Sequence, residues 1–560
     1  MLIKFFKFGL ILLLYQSPLY SKNKTLNDFN SHNLINYFSG IVAYGNNDNF
    51  AALKFFKSSK QLIKKYDSYL ENYTYALVLE GEVQVAIKEI KQNLTENNSN
   101  FFEAYLLLAL DSLKKKNYKK SKEHLQKSYV FINNDRLSLI IAETLKQYLY
   151  VFEENKIPQI KNKFGNFSNI NEVFQRCYLN DKNTKTYFNN LINSQNEEYS
   201  RYIFFYLNYL IENDEYDEAK NITDNLDYLN SPLLIGQGKK WIDDQKFEEF
   251  KKIFSCTNTT DITSELFFLA SNLYSSQANY EKANFYLNVS HYLNPKFKFN
   301  LSLLAENHYF DKNYKKTLKI LESFGKNDDF YYWFKLKKEA QIISKKKDKD
   351  KSLDFINLNF KKIKKPSIKM IFDIANFNKN AGEYKEAIKY YDKIISKIDS
   401  NSRLYAEILY RRGGSYERLG DYVSSDKDLL KSLEVNPDDA YVLNYLAYSW
   451  LEREYKIDLS LQMLEKAYTA RSNDPYIIDS IGWAYYLTGN YTKAENFIKR
   501  AAGLMPQDPI VNDHYGDILW KLDRKIQARY FWGNVLNLKK AEDEMKKNVK
   551  IKLIEGLTNS

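Results

Sequence analysis

The chain has 560 residues, of which only 18 are Gly, 9 Pro and 2 Cys. So few breakers over such a length suit an all-helical chain, even though the abundant Ile, Tyr and Phe are only middling helix formers. Its 82 basic and 70 acidic residues leave a formal charge of +12, but the signs are interspersed. The surface therefore reads as solvated and mixed, with a mild basic surplus, and the Lys/Asn/Ile/Tyr excess as the mutational bias of an AT-rich genome.

The N-terminus reads as a leader. Lys4 and Lys7 form a positive start, residues 8–15 are an apolar run too short to span a bilayer comfortably, and Ser17 and Pro18 break any helix. Leu19, Tyr20 and Ser21 supply a cleavage site, so residues 1–21 are expected to be a signal peptide cut after Ser21. The alternative is an uncleaved signal anchor, because Leu19 is not the small residue preferred at its position. No Cys lies near the leader to carry a lipid. The expected location is outside the cytoplasm, in the periplasm of a Gram-negative-type bacterium, in solution or associated with the envelope.

Residues 22–365 carry a diffuse repeat, with pairs such as Phe50/Ala52, Val83/Ala86, Tyr118/Ser121 and Tyr216/Ala219. The pattern sharpens from Ser264 through Phe267, Ala270, Tyr274, Tyr280, Ala283 and Pro295. It recurs 34 residues later through Leu301, Leu304, Ala305, His308, Tyr314 and Thr317. The stretches 221–261 and 330–366 are expected to be helical without holding the pattern. Residues 366–538 are regular. A unit begins near Ile368, and four more begin at Ala406, Ala440, Pro475 and Pro509, spaced by 34, 35 and 34 residues. The extra residue lies in a turn at 455–458, where insertions are tolerated, and carries no expected function. In the clearest unit Gly482, Tyr485, Gly489, Tyr491, Ala494 and Ala501 place small residues where two helices cross and rings in the wider gaps. Gly413, Gly482 and Gly516 are expected at close approaches, with Ala494 and Ala528 facing the latter two.

This spacing resembles the tetratricopeptide repeat (TPR): two short antiparallel helices per unit, stacked into a right-handed solenoid with a concave groove. The expected fold is an all-α TPR solenoid, and a groove of this kind binds rather than reacts. Positions 2, 5, 9 and 12 of each first helix face the groove at the 3.6-residue period. The candidate partner-binding residues are Tyr441, Asn444 and Tyr448, then Asp479, Trp483 and Tyr486, then Asp513, Asp517 and Trp520. Amide and carboxylates would meet peptide groups of an extended partner while rings bury its apolar side chains. The competing reading has the acids bracing helices and the tryptophans packing between units. Repeats that grip a partner's C-terminal carboxylate place Lys and Arg here, so that mode is disfavoured.

Three runs carry a narrower resemblance: NYLAYSW (444–450), DSIGWAYYLTG (479–489) and PIVNDHYGDILW (509–520). Over about 130 residues they are similar to the C-terminal region of a family of exported bacterial TPR proteins. Its best understood members are outer-membrane lipoproteins acting as adaptors for a carboxyl-terminal processing protease. The resemblance implies export and an adaptor that presents substrates to a protease, while the missing lipobox cysteine speaks against outer-membrane tethering. The alternative function is a structural or secretion-associated envelope assembly factor anchored by the leader.

No catalytic constellation is found. His32, His124, His291, His308 and His514 match neither a zinc spacing nor H-E-x-x-H, and no nucleophile elbow or phosphate loop occurs. The chain is expected to be non-enzymatic, without cofactor or metal. The basic runs at 345–351 and 361–365 read as charged loops, so nucleic acid is not an expected partner. Cys177 and Cys256 lie far apart, and distant units of a solenoid rarely touch, so two partly buried free thiols are expected although export permits a disulfide. Residues 539–560 are expected to form a terminal cap, with Met545, Val549, Leu553 and Ile554 covering the last unit's open face. A partner-docking tail is the alternative.

Overall fold

A computed structural model describes residues 31–94, 101–132, 135–159, 163–193, 200–226, 229, 232–346 and 348–557. The leader and its expected cut after Ser21 lie outside the described residues. These residues form thirty α-helices and no strand, the all-α solenoid architecture expected from the repeat. They divide into two compact units. One comprises Met1–Asp224 and Pro232–Phe324, the other Asn225–Ser231 and Gly325–Ser560.

Local chemistry explains the regularity of the hairpins. In several repeats the second helix starts after an Asn or Asp whose side chain accepts a backbone N–H of the first turn. Asn279, Asn313, Asp421 and Asn490 do this for Lys282, Lys316, Ser424 and Lys493. First helices are capped in the same way by Asp439, Asp474 and Asp508, each accepting two backbone N–H groups. Each such cap stabilises its helix by about 1 kcal/mol. The turn between two helices needs one left-handed residue, which is Gly382, Gly420, Gly489 or Asp523 in the units of standard length. The 35-residue unit accommodates its extra residue with two, Glu454 (φ 51°) and Lys456 (φ 48°).

The crossing glycines do stand at close approaches, but against other neighbours than expected. A Cβ on Gly482 would lie 2.6 Å from Ile498 Cγ1, and one on Gly413 3.0 Å from Leu429 Cγ. Gly516 is covered by the Trp532 indole. The facing residue is thus sixteen positions on, one helical turn beyond Ala494 and Ala528, which are themselves fully buried. Gly482→Ala should therefore overpack the hairpin Pro475–Leu487/Tyr491–Leu504 and cost about 1–3 kcal/mol. Gly503→Ala, with open space around it, should instead stabilise by about 0.5–1 kcal/mol. Thermal melts of the two variants on opposite sides of the wild type would establish this, and equal melts would refute it.

In the first unit the helices do not stack in an open line. Helices between Ser31 and Glu154 close around the hairpin Thr259–Ser276/Tyr280–Leu293. Tyr75 packs its ring 4.8 Å from Phe285, and Lys114 Nζ sits 3.9 Å over the Tyr292 ring. Asp135 accepts hydrogen bonds from Tyr274 Oη (3.1 Å) and Lys282 Nζ (2.9 Å). Lys316 pairs with Glu80 at 2.7 Å. These contacts close the first unit's helices onto one another.

The same closure corrects the expectation for the cysteines. Cys177 and Cys256, 79 residues apart, form a disulfide with Cα atoms 5.5 Å apart. The rule that distant repeats do not touch fails here because the curvature accumulated over several hairpins brings the chain back on itself.

In the second unit the stack is sequential. Hairpins Asp329–Lys346/Lys349–Phe360 and Ile368–Asn380/Tyr384–Ile395 lead into the four regular ones, so the stretch 330–366 is a hairpin despite lacking the repeat signature. One core runs from Ala447 to Val549 across the last repeats. The helix Asp543–Glu555 closes it, burying Val549 completely and resting Met545 and Leu553 on the core. Ile554, expected to help cover that face, is 79% exposed.

Candidate functional site

The wall that the sequence singles out is formed by the first helices Ala440–Leu451, Pro475–Leu487 and Pro509–Lys521. Each of these contacts the next directly, as well as through the intervening second helix. Their closer spacing makes this the inner side of the local curve. The structure then divides the nine candidate residues into two groups.

The carboxylates are already engaged. Asp479 is buried and its Oδ1 lies 3.0 Å from His514 Nδ1 of the next repeat. Burial pulls the His514 pKa down, but Asp479, Asp513 and Asp517 outweigh it and raise the pKa overall. Asp513 and Asp517 share Lys552 of the closing helix, with Nζ–Oδ1 distances of 2.8 Å to each. Asp517 also accepts a hydrogen bond from Trp532 Nε1 at 2.9 Å. Burial first, and Asp513 second, push the Asp517 pKa up to about 6 against the pull of Lys552 and His514. The polar row thus forms, but its acids bind this chain and not an open groove. Trp520 is likewise spent internally, under Gly556 and 5.4 Å from the Trp532 ring.

Of the remaining candidates, Tyr441 is exposed and Asn444, Tyr448, Trp483 and Tyr486 are partly buried. Tyr441 is 44% exposed, and the residues at its position in the next two units, Tyr476 and Ile510, are 62% and 40% exposed. Arg471 lies 4.8 Å over the Tyr441 ring. Asn444 Oδ1 is buried without any hydrogen-bond partner. Trp483 is half-buried in a stack, its ring 4.6 Å from Tyr486 and 4.0 Å from His514. Tyr448 closes this cluster 6.4 Å from His514. Burial and Glu452 push the Tyr448 hydroxyl pKa up, so it remains a donor at neutral pH. The wall therefore offers rings, tyrosine hydroxyls and one unmet amide oxygen, with its carboxylates neutralised from within.

Reasoning from sequence missed His514 and Lys552. His514 follows Asp479 by 35 residues, one repeat plus one position, so the phased repeat contained a signal for that pair. Lys552 has no such signal, because its helix stands outside the recognised repeats.

Comparison with known proteins fits this architecture. A tetratricopeptide repeat model matches residues 368–396 and 406–439. The TPR repeat-containing protein PA4667 of Pseudomonas aeruginosa is 30% identical over 129 residues, 22% of this chain and 22% of that protein. The match thus spans less than a quarter of that relative. The TPR repeat-containing protein MJ1428 of Methanocaldococcus jannaschii is 24% identical over 438 residues, 73% of this chain and 70% of its own. Among solved structures, TTC0263, a thermophilic TPR protein of Thermus thermophilus, is 16% identical, covering 34% of this chain and 100% of its own with a TM-score of 0.29. MamA from Desulfovibrio magneticus is 22% identical, covering 31% and 97% with a TM-score of 0.27. Residues 368–396 and 406–439 are thus matched to tetratricopeptide repeats.

Proposed function

We propose that this protein is a non-enzymatic scaffold that holds an extended protein segment against the inner wall of its C-terminal repeats. One observation carries the reading: Tyr441, Tyr476 and Ile510 form an exposed apolar ladder beside Asn444, whose buried amide oxygen lacks a donor. A buried acceptor without a partner costs about 1–3 kcal/mol, and a backbone N–H of a peptide laid along the wall would meet it. The rings supply rigid apolar contact at low entropic cost.

The scaffold works outside the cytoplasm, where it presents envelope proteins to a processing protease. The leader pattern and the sequence resemblance of residues 444–520 support this reading. So does the Cys177–Cys256 bridge, since disulfides persist in oxidising compartments.

The test uses Tyr441→Ala with Tyr476→Ala, both exposed and so expected to alter stability by no more than about 0.5 kcal/mol. Binding of peptides selected from a display library on the wild-type chain should weaken by at least about tenfold in the double variant. Affinities unchanged by this pair and by Asn444→Ala would remove the wall from the account. Export is checked separately, by the mass of the mature N-terminus.

A further inference from the structure

Three turns distant in sequence meet in the first unit: the one at Asn47, that at Ala278 and that at Lys312, each with a left-handed residue. Between them lies a cavity of about 340 Å³, whose lining includes Asn49, Tyr280, Asn284, His308, Asp311 and Asn313. His308 is only 5% exposed, and neither of its ring nitrogens has a hydrogen-bond partner. Burial first, and Lys316 second, take its pKa down to about 3. The ring is therefore neutral and carries one N–H donor and one bare nitrogen acceptor, both unmet. Asn49 Oδ1 is also buried without a partner. Buried polar groups in a folded protein are almost always satisfied, so two such groups on one cavity point to something that satisfies them.

The lining restricts what that is. Asn279 and Asn313 use their Oδ1 atoms to cap helices, and Asn284 Oδ1 accepts a hydrogen bond from Asn307. Their amide NH2 groups, together with the His308 N–H, are donors for a ligand. Asn49 Oδ1 and the second His308 nitrogen are acceptors. The carboxylates Asp311 and Glu281 on the rim disfavour an anion. Among the described residues no group of three or more His, Cys, Asp or Glu is placed to hold a metal. Closely spaced donors and acceptors without net positive charge match hydroxyl groups, each of which both donates and accepts. The volume is at the small end for ligand sites.

We propose that this cavity binds a neutral saccharide, with ring hydroxyls meeting His308, Asn49, Asn284 and Asn313. The same chemistry serves a free monosaccharide or the terminal residue of a longer glycan.

The experiment titrates the full chain by calorimetry with glucose, N-acetylglucosamine and a tetramer of β-1,4-linked N-acetylglucosamine. Saturable binding of at least one of these is expected, with at least about tenfold weakening in both His308→Phe and Asn49→Leu. Binding of the monosaccharides assigns a free sugar, and binding of the tetramer alone assigns a glycan end. Because a buried substitution can disturb folding, the wild-type chain is also followed by the His308 ring nitrogen resonances, which should shift on saturation with the same sugar. Absence of binding by all three sugars overturns the proposal. So does binding that leaves the His308 resonances unmoved, or that survives both substitutions.

Discussion

Replacing both Cys177 and Cys256 with alanine should lower the stability of the first unit by about 4 kcal/mol. The bridge closes a 79-residue separation, and the chain-entropy cost that it removes from the unfolded state grows with the logarithm of that length. Alanine is the substitution of choice, because serine would leave hydroxyls at sites only 4% and 2% exposed. The bridge lies beside packed rings, with Phe205 and Phe174 at 4.7 and 5.9 Å from Phe254, so the surrounding core should persist while its unfolding midpoint falls. Urea unfolding followed at Trp241, which lies in the first unit, should show a lower midpoint for the variant. The wild type under reductant should match it. Two titratable thiols in the unreduced, unfolded chain, with a midpoint indifferent to reductant, would show that the pairing is wrong.

Lys552→Met should be of similar size, about 3 kcal/mol, but confined to the C-terminal end. It leaves Asp513 and Asp517 facing each other with side-chain exposures of 17% and 8% and no cation between them. The hydrocarbon stem of Met retains most of the packing, so the loss reports the charge. Hydrogen exchange in Pro509–Lys521 and Asp543–Glu555 should quicken by about a hundredfold, while hairpins before residue 440 are unaffected.

The same cluster makes this end sensitive to pH. Asp517 has a folded pKa of about 6, above its ordinary value of 3.8. The folded state therefore takes up this proton more readily than the unfolded one, and stability falls as pH rises from about 4 to about 6. His514 is also raised on folding; its contribution is present below the ordinary histidine pKa and is lost as pH rises through the folded value. Both groups act in the same direction. After correction for intrinsic rates, amides of Pro509–Lys521 should be better protected at pH 5.5 than at pH 8. Equal protection at the two values would contradict the assignment.

Much of the fold was legible in the sequence, and the reason is visible at particular residues. Gly482 at the helix crossing and Gly489 in the turn answer demands set within one hairpin. They repeat every 34 or 35 residues because each unit solves the same packing problem. The candidate wall was legible as a row of positions. Its state was not: Asp479 looked like a free acid until His514 was placed beside it, and Asp513 and Asp517 until Lys552 was.

The sequence by itself therefore determined the hairpin, the glycines at its crossings and the face that each first helix turns inward. All of these follow from helical periodicity and neighbours close in the chain. Only the tertiary structure decided the closure of the first unit, the Cys177–Cys256 bridge, the neutralised acid row and the cavity at His308. Tyr274 with Asp135, 139 residues apart, and Lys316 with Glu80, 236 apart, meet because small rotations between successive hairpins add up. No single repeat encodes that sum, so no single repeat reveals which distant side chains it brings together.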